Sequence, residues 1–465
     1  MTERPIAPST LDARAAYRVA VDRLRTQHHD LQVEGPIRLA KRTSNLFRMR
    51  DASRMPCLDV AAFSGVIEVD PVARTADVLG MTTYEELVEA TLRFGLMPLV
   101  VPKLKTITLG GAVSGRGIES TSFRNGAPHE SVIDFDVLTG DGRVVTVTPD
   151  GPHAELFTGF PNSYGTLGYA LRLRIELEPV KPFVALEHYL HHSAADAAET
   201  ICEIVQTREH RGRPVDFIDG VVFSRDRVVI TVGRFVDEAP YLSDYTRAKI
   251  YYKSLEQRSS DYLTIRDYLW RWDTDWFWCS GALGVQHPLV RPFLPRRLLR
   301  SDVYWKIVGF ERRHGWKFGW DAKRGRSPGE PVIQDVEIPV GRLAEFLDFF
   351  HAEIGIAPVW LCPLRQRSSD VTWDLYALDP EMTYVNLGFW SSVEAIPGQR
   401  EGYHNRRIEG VVAELGGRKS LYSSSYYEED EFWSIDNGVQ YELLKKRYDP
   451  QGRLLDLHAK CVRGH

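Results

Sequence analysis

Apolar and polar positions alternate from Val66 to Val69, Asp70-Pro71 interrupts them, and Thr75 to Val78 resumes the alternation, which predicts a β-hairpin. The period then changes. Thr82-Thr83-Tyr84-Glu85-Glu86 offers overlapping capping boxes, Tyr84, Leu87, Val88 and Leu92 share one helical face, and Gly95 supplies a stop, so a helix is expected over 83–94. Leu96 to Val101 reads as a buried strand running into Pro102. Further on, Val132 to Leu138 and Arg143 to Val147 are strand-like runs joined through Thr139-Gly140-Asp141-Gly142, whose Asp-Gly pair favours a hairpin. A long alternation from Tyr169 to Glu178 ends at Pro179.

Beyond Pro179 to Pro182 the texture mixes helical segments with strands such as Val228 to Phe235 and Val332 to Ile338. The tail regains helical spacing through Phe432, Ile435 and Val439. The expected organisation is an N-terminal helical extension over 1–30, an α+β domain over 31–182, a second α+β domain over 183–424 and a C-terminal segment over 425–465. A length of 465 residues supports the division, because single hydrophobic cores stop growing at roughly 250 to 300 residues. A formal net charge of -5 gives no global field that favours nucleic acid. The five cysteines are scattered, with neither a C-x-x-C pair nor zinc-ligand spacing, which points to reduced thiols and no metal. Residues 1–30 lack the apolar core of a secretory signal, and the chain has no run of about 18 uncharged apolar residues.

The densest chemical signal is Gly110-Gly111-Ala112-Val113-Ser114-Gly115-Arg116-Gly117-Ile118-Glu119-Ser120. Glycines let backbone N–H groups approach a ligand closely, as a dinucleotide pyrophosphate demands. The order G-G-x-x-x-G-x-G is not the Rossmann G-x-G-x-x-G, and Gly110 to Arg116 ends in G-R where a P-loop needs G-K-[ST]. Spacing alone leaves two readings open, a dinucleotide cradle and a glycine-rich turn that merely packs.

The neighbouring motifs separate them. Val101-Pro102-Lys103-Leu104-Lys105-Thr106-Ile107-Thr108-Leu109-Gly110-Gly111, Gly115 to Ser122, Gly126, Gly140-Asp141-Gly142 and Tyr164-Gly165-Thr166-Leu167-Gly168 closely resemble the FAD-binding domain of the vanillyl-alcohol-oxidase (PCMH-type) flavoproteins. Within that superfamily the chain is most similar to delta(24)-sterol reductase and the bacterial methylene-fatty-acyl reductases related to it. Gln334-Asp335, Ile338-Pro339, Val359 to Pro363 and Glu431-Phe432-Trp433 extend the likeness over most of the chain. The resemblance implies an α+β fold: a two-subdomain PCMH-type FAD-binding domain, a cap (substrate) domain on an antiparallel sheet, and a C-terminal segment returning to the first domain. It implies cofactor contacts by Thr106, Thr108, Gly110, Gly111, Ser114, Gly115, Gly117, Ile118, Glu119, Ser120, Gly165, Thr166 and Gly168. Ser44 to Arg48 stands where the first phosphate loop belongs, without the glycines common there. Lys103 to Pro128 holds neither His nor Cys, so the expected FAD is non-covalent, with NADPH as the reductant the family implies. The related eukaryotic reductases carry an apolar N-terminal membrane segment that residues 1–30 do not resemble, so a cytoplasmic, bacterial protein is expected.

An isolated alkene has no carbonyl to polarise it, so protonation first and hydride transfer second is the simplest reduction. Two lipids suit a tertiary carbocation: a branched sterol side chain and a methylene-branched fatty acyl chain reduced to a methyl branch. The acyl chain is the preferred expectation. Rival readings are an FAD-dependent hydroxy-acid or alditol oxidase and, from another class, a non-catalytic lipid-binding or scaffold protein. Candidate acids are Glu119, Tyr426 and Tyr427. Tyr268, Trp270, Trp272, Trp276, Phe277 and Trp278 are cation supporters or a packed cap helix, and Trp276, Trp278, Trp360 and Cys362 are candidate substrate contacts. From Arg291 to Arg326, basic residues interleave with Phe293, Leu298, Tyr304, Phe310 and Trp316, a texture suited to peripheral contact with an anionic membrane.

Overall fold

A computed structural model describes residues 10–31, 35–41, 47, 55–314 and 329–464. The expected hairpin Val66–Asp70 with Thr75–Leu79 forms the edge of a six-stranded antiparallel sheet. Its spine is Tyr169–Pro179, an eleven-residue strand that pairs with Thr75–Leu79 on one side and Val132–Leu138 on the other. Leu96–Pro98 joins its far end, and Val144–Val147 closes the hairpin through Gly140-Asp141. The helix Tyr84–Thr91 begins with a full capping box between Thr83 and Glu86, and a 3-10 turn carries it to Gly95, left-handed at φ 68°. Two strands, Arg38–Ala40 and Cys57–Asp59, pair in parallel beside this sheet. The N-terminal helix Thr10–Asp30 packs Leu24 against Leu58, Phe63 and Leu171, and Tyr17 donates to Asp136 at 2.7 Å.

The second sheet begins four residues after the first ends. Its eight strands run Ser260–Thr264, Phe183–His191, Arg227–Val236, Phe217–Ser224, Val359–Leu364, Tyr384–Glu394, Gly329–Pro339 and Arg418–Lys419, each antiparallel to its neighbours. Both faces are covered, so alternation appears as two cores rather than as inside and outside. Val359 and Leu361 join the helix-side core with Ala194–Thr207, Leu343–Phe349 and Tyr403–Glu414, whereas Trp360, Cys362 and Leu364 join the core shared with the first domain.

Three expectations resolve differently. The glycine-rich segment is helical over Leu109–Gly115, because Thr108 caps it by accepting from Gly111 N–H at 3.3 Å. The aromatic run is a short helix, Ile265–Leu269, followed by 3-10 turns in which Trp276, Phe277 and Trp278 are consecutively left-handed. The tail does not keep one helical phase: Asn437, at φ 50°, caps a new helix Gly438–Tyr448 after Glu429–Ile435, and Val439 is left exposed. That tail packs on the first domain, where Lys445 Nζ donates to the Thr166 carbonyl at 2.8 Å and Gly140 N–H to the Tyr448 carbonyl at 2.8 Å. Among the described residues, no helix is long and apolar enough to cross a membrane and no metal-ligand cluster occurs.

Candidate active site

A cavity of about 850 Å³ runs from the parallel strand pair, past the glycine-rich helix, to the underside of the second sheet. This size suits a cofactor or small-molecule cleft. Thr106, Thr108, Gly110, Gly111, Ser114, Gly115, Gly117, Ile118, Gly165 and Gly168 line it. The glycines are sterically required. A side chain at Gly110 would meet the Gly80 carbonyl at 2.8 Å, and one at Gly168, where φ is 147°, would meet Val137 at 2.4 Å. Among the described residues, Arg38, Lys41, Lys103, Arg116, Lys306 and Lys460 face this space against two carboxylates, Asp302 and Asp335. Arg116 Nη1 is buried without a hydrogen-bond partner among the described residues, and the side chain lies over the Tyr376 ring at 3.6 Å. A glycine-walled cleft with surplus buried cation fits a dinucleotide phosphate.

The far end is assembled by sheet register. Trp360, Gly388 and Asp335 lie directly opposite one another on three adjacent strands, and Cys362, Asn386 and Glu337 form the next row. Gly388 keeps the row open, since a side chain there would meet Asp335 at 2.4 Å and Trp360 at 3.3 Å. Asn386 Nδ2 donates to Asp335 Oδ1 at 3.1 Å, Trp390 Nε1 donates to the Tyr422 hydroxyl at 2.8 Å, and that hydroxyl is hydrogen-bonded to Asp335. Burial, then Asp335, pushes the Tyr422 hydroxyl well above the usual tyrosine range. Lys103 reaches into this group from the first domain. Its Nζ sits 3.4 Å from the Trp360 ring centre and 3.6 Å from that of Phe277, and it has no hydrogen-bond partner among the described residues. Burial lowers its pKa, against the opposing pull of Asp335, Glu119, Cys362 and Asp219.

Several predicted site residues lie elsewhere. Glu119, a candidate acid and cofactor contact, instead accepts from Arg271 Nη2 at 2.8 Å, and the same nitrogen reaches Asp219 at 2.7 Å. Ser120 accepts from the Tyr268 hydroxyl at 2.9 Å, and its carbonyl accepts from Ile218 N–H, so both residues bind the two domains together. Thr166 donates to the Ser163 carbonyl at 2.7 Å. Tyr426 and Tyr427 do not line the cavity; Tyr427 packs against Phe432, and the Tyr426 ring lies beside Gly402. Trp276 stacks on Tyr304, Trp278 on Phe277, and Cys362 is fully buried, so of the four proposed substrate contacts only Trp360 faces the cavity. Ser44 to Arg48 falls outside the described residues except for Phe47, whose ring centre is 4.5 Å from that of Trp390. The basic stretch from Arg291 is partly internal: Arg291 pairs with Asp275, Arg300 with Glu85 and Arg296 with Asp244, while 315–328 lies outside the described residues. Sequence reasoning missed Lys103, Arg116, Asp335, Asn386, Trp390 and Tyr422 as site residues. A carboxylate at Asp335 within the apolar alternation Val332 to Ile338 is the signal that could have found one of them.

A family model described as "FAD binding domain" matches residues 35–148, so the chain carries a PCMH-type FAD-binding domain and is an FAD-dependent oxidoreductase. The likeness extends well beyond that domain. Over 454 residues the chain is 23% identical to the delta(24)-sterol reductase of Pisum sativum, covering 88% of this chain and 76% of the relative. It is 24% identical over 412 residues to the delta(24)-sterol reductase of Homo sapiens, covering 86% and 76%. Cytokinin dehydrogenase 10 of Oryza sativa subsp. japonica is 26% identical over 275 residues, covering 51% of this chain and 50% of that protein.

Proposed function

We propose that the protein reduces an isolated carbon–carbon double bond of a lipid, with a methylene-branched fatty acyl chain as the preferred substrate. The observation that carries this reading is one continuous cavity joining the glycine-walled, cation-rich cleft to an end walled by Trp360, Trp390, Phe47 and Leu104. Gly110, Gly111, Gly115, Gly117, Gly165 and Gly168 leave room for a non-covalent FAD, and Arg116 would face its charge. Bound FAD, once reduced by NADPH, supplies a hydride. The aromatic and aliphatic walls exclude water from an apolar chain and offer ring faces to positive charge developing on carbon.

The names of the relatives favour a second substrate, a sterol side chain with a branched double bond. Mass spectrometry after anaerobic incubation with NADPH and each lipid separates the two. A gain of two hydrogens on methylene-acyl lipid supports the first reading; a gain on sterol alone sinks it.

Peripheral contact with an anionic membrane belongs to the same proposal. Leu289 and Phe293 are 77% and 84% exposed close to Arg297, and the segment leads to Asp302 and Lys306 on the cavity wall. Binding to anionic liposomes that high salt abolishes is the expected result, and no binding at low salt contradicts it.

A further inference from the structure

Reduction of an alkene consumes a proton as well as a hydride, and the inference below rests on the reading of the protein as a lipid alkene reductase. Among the side chains at the cap end of the cavity that carry exchangeable protons, Tyr422 and Lys103 are of opposite character. The Tyr422 hydroxyl is engaged by Trp390 and Asp335, and its surroundings make it a weaker acid than an ordinary tyrosine. The Lys103 ammonium has no acceptor among the described residues, lines the cavity, and lies over the faces of Trp360 at 3.4 Å, Phe277 at 3.6 Å and Trp390 at 5.8 Å. Its surroundings make it a stronger acid than an exposed lysine. Phe277 is brought there by the left-handed turn of Trp276, Phe277 and Trp278, with φ of 50°, 53° and 56°, a conformation that costs conformational energy at bulky residues.

We propose that Lys103 is the general acid that protonates the substrate double bond, and that the aromatic cage around its ammonium then holds the carbon cation that replaces it. The π pair of the alkene forms a new C–H bond to a proton of Nζ, the N–H bond breaks, and its electron pair stays on the neutral amine. The positive charge passes to the more substituted carbon. Reduced FAD, when bound, would supply the hydride and its electron pair for the second C–H bond, and Lys103 regains a proton from water. The cage thus holds one positive charge at a time, first on nitrogen and then on carbon. The titratable and charged groups that face it are Asp335, Glu119, Cys362 and Asp219, and beyond them Arg271.

The test uses the flavin-loaded protein, its variants and two readouts. Lys103→Met is expected to lower alkene turnover by at least about 10²-fold while NADPH still bleaches the flavin. Lys103→Arg keeps a cation but cannot release its proton, so it is expected to lose turnover similarly. Tyr422→Phe is expected to fall less than about tenfold, below the range for a general acid. Wild-type turnover falls as pH rises through the lowered Lys103 pKa, and that limb is missing in Lys103→Met. Independently of turnover, calorimetry with an acyl lipid bearing a quaternary ammonium at the alkene position should show at least about tenfold tighter binding to Lys103→Met than to wild type. Equal affinities overturn the shared cage. Wild-type turnover in Lys103→Arg overturns the acid, because it leaves Lys103 as a cation that only faces an anion. A wild-type protein that reduces no lipid alkene overturns the functional reading itself, whereas an active wild type with an equally active Lys103→Arg overturns the acid alone.

Discussion

Arg271 and Lys103 are two cations buried at the same junction of flavin domain and cap, and their surroundings are opposite. Arg271 is closed in by charge: Glu119 and Asp219 accept from its guanidinium, the Tyr268 carbonyl accepts from Nη1, and the Tyr268 ring lies 4.0 Å from it. Trp272 and Trp360 also donate to Asp219, at 3.1 and 3.3 Å, so little of the network is left for a ligand. Among the described residues only Arg271 Nε and Glu119 Oε2 of that network are left unpaired. Lys103 is closed in by rings and opens onto the cavity without an acceptor among the described residues. A buried charge held by several polar partners fixes the geometry of its neighbours; one held by ring faces is poised to change state. Folding places the two kinds side by side, with Trp360 under Lys103 and donating to Asp219 of the Arg271 network.

The comparison breaks most visibly through Arg271. Arg271→Met leaves Glu119 and Asp219 buried together without their cation, and a loss of about 3–5 kcal/mol of stability is expected from thermal melting. A melting temperature equal to wild type would show that the pair is not structural. Lys103→Met is expected to melt within about 1 kcal/mol of wild type, since an isolated buried charge exchanged for an apolar chain of similar volume is neutral or stabilising. A smaller effect sharpens the contrast. Burial raises the Asp436 carboxyl from 3.8 to about 7, against Arg418 and a hydrogen bond from Asn162. The folded state therefore binds this proton more tightly than the unfolded state, so its contribution is present below pH ~4 and is lost as pH rises through about 7. Asp436→Asn is expected to flatten the stability profile across that window; an unchanged slope would contradict it.

Much of the first domain was legible because its elements announce themselves locally. The Thr83–Glu86 capping box, the Asp-Gly turn and the alternation of Tyr169 to Glu178 each need only short-range chemistry. The glycine-rich segment was legible as a place of close approach, although its helical form follows from the Thr108 cap rather than from propensity. The cap end of the site was not legible. Lys103, Asp335, Asn386 and Tyr422 come from four distant stretches, and their meeting depends on the register that sets Trp360, Gly388 and Asp335 in one row. Glu119 was misread for the same reason. Its partner Arg271 lies 152 residues away, and nothing near either one signals the pair.

If one cavity couples bound FAD to a lipid double bond, as proposed, the flavin's own absorbance reports it. Under anaerobic conditions NADPH should bleach the flavin band, and adding methylene-acyl lipid without oxygen should restore it in step with the loss of the alkene. A band that neither methylene-acyl lipid nor a sterol with a branched side-chain alkene restores, and that returns only when air is admitted, would contradict a lipid alkene reductase.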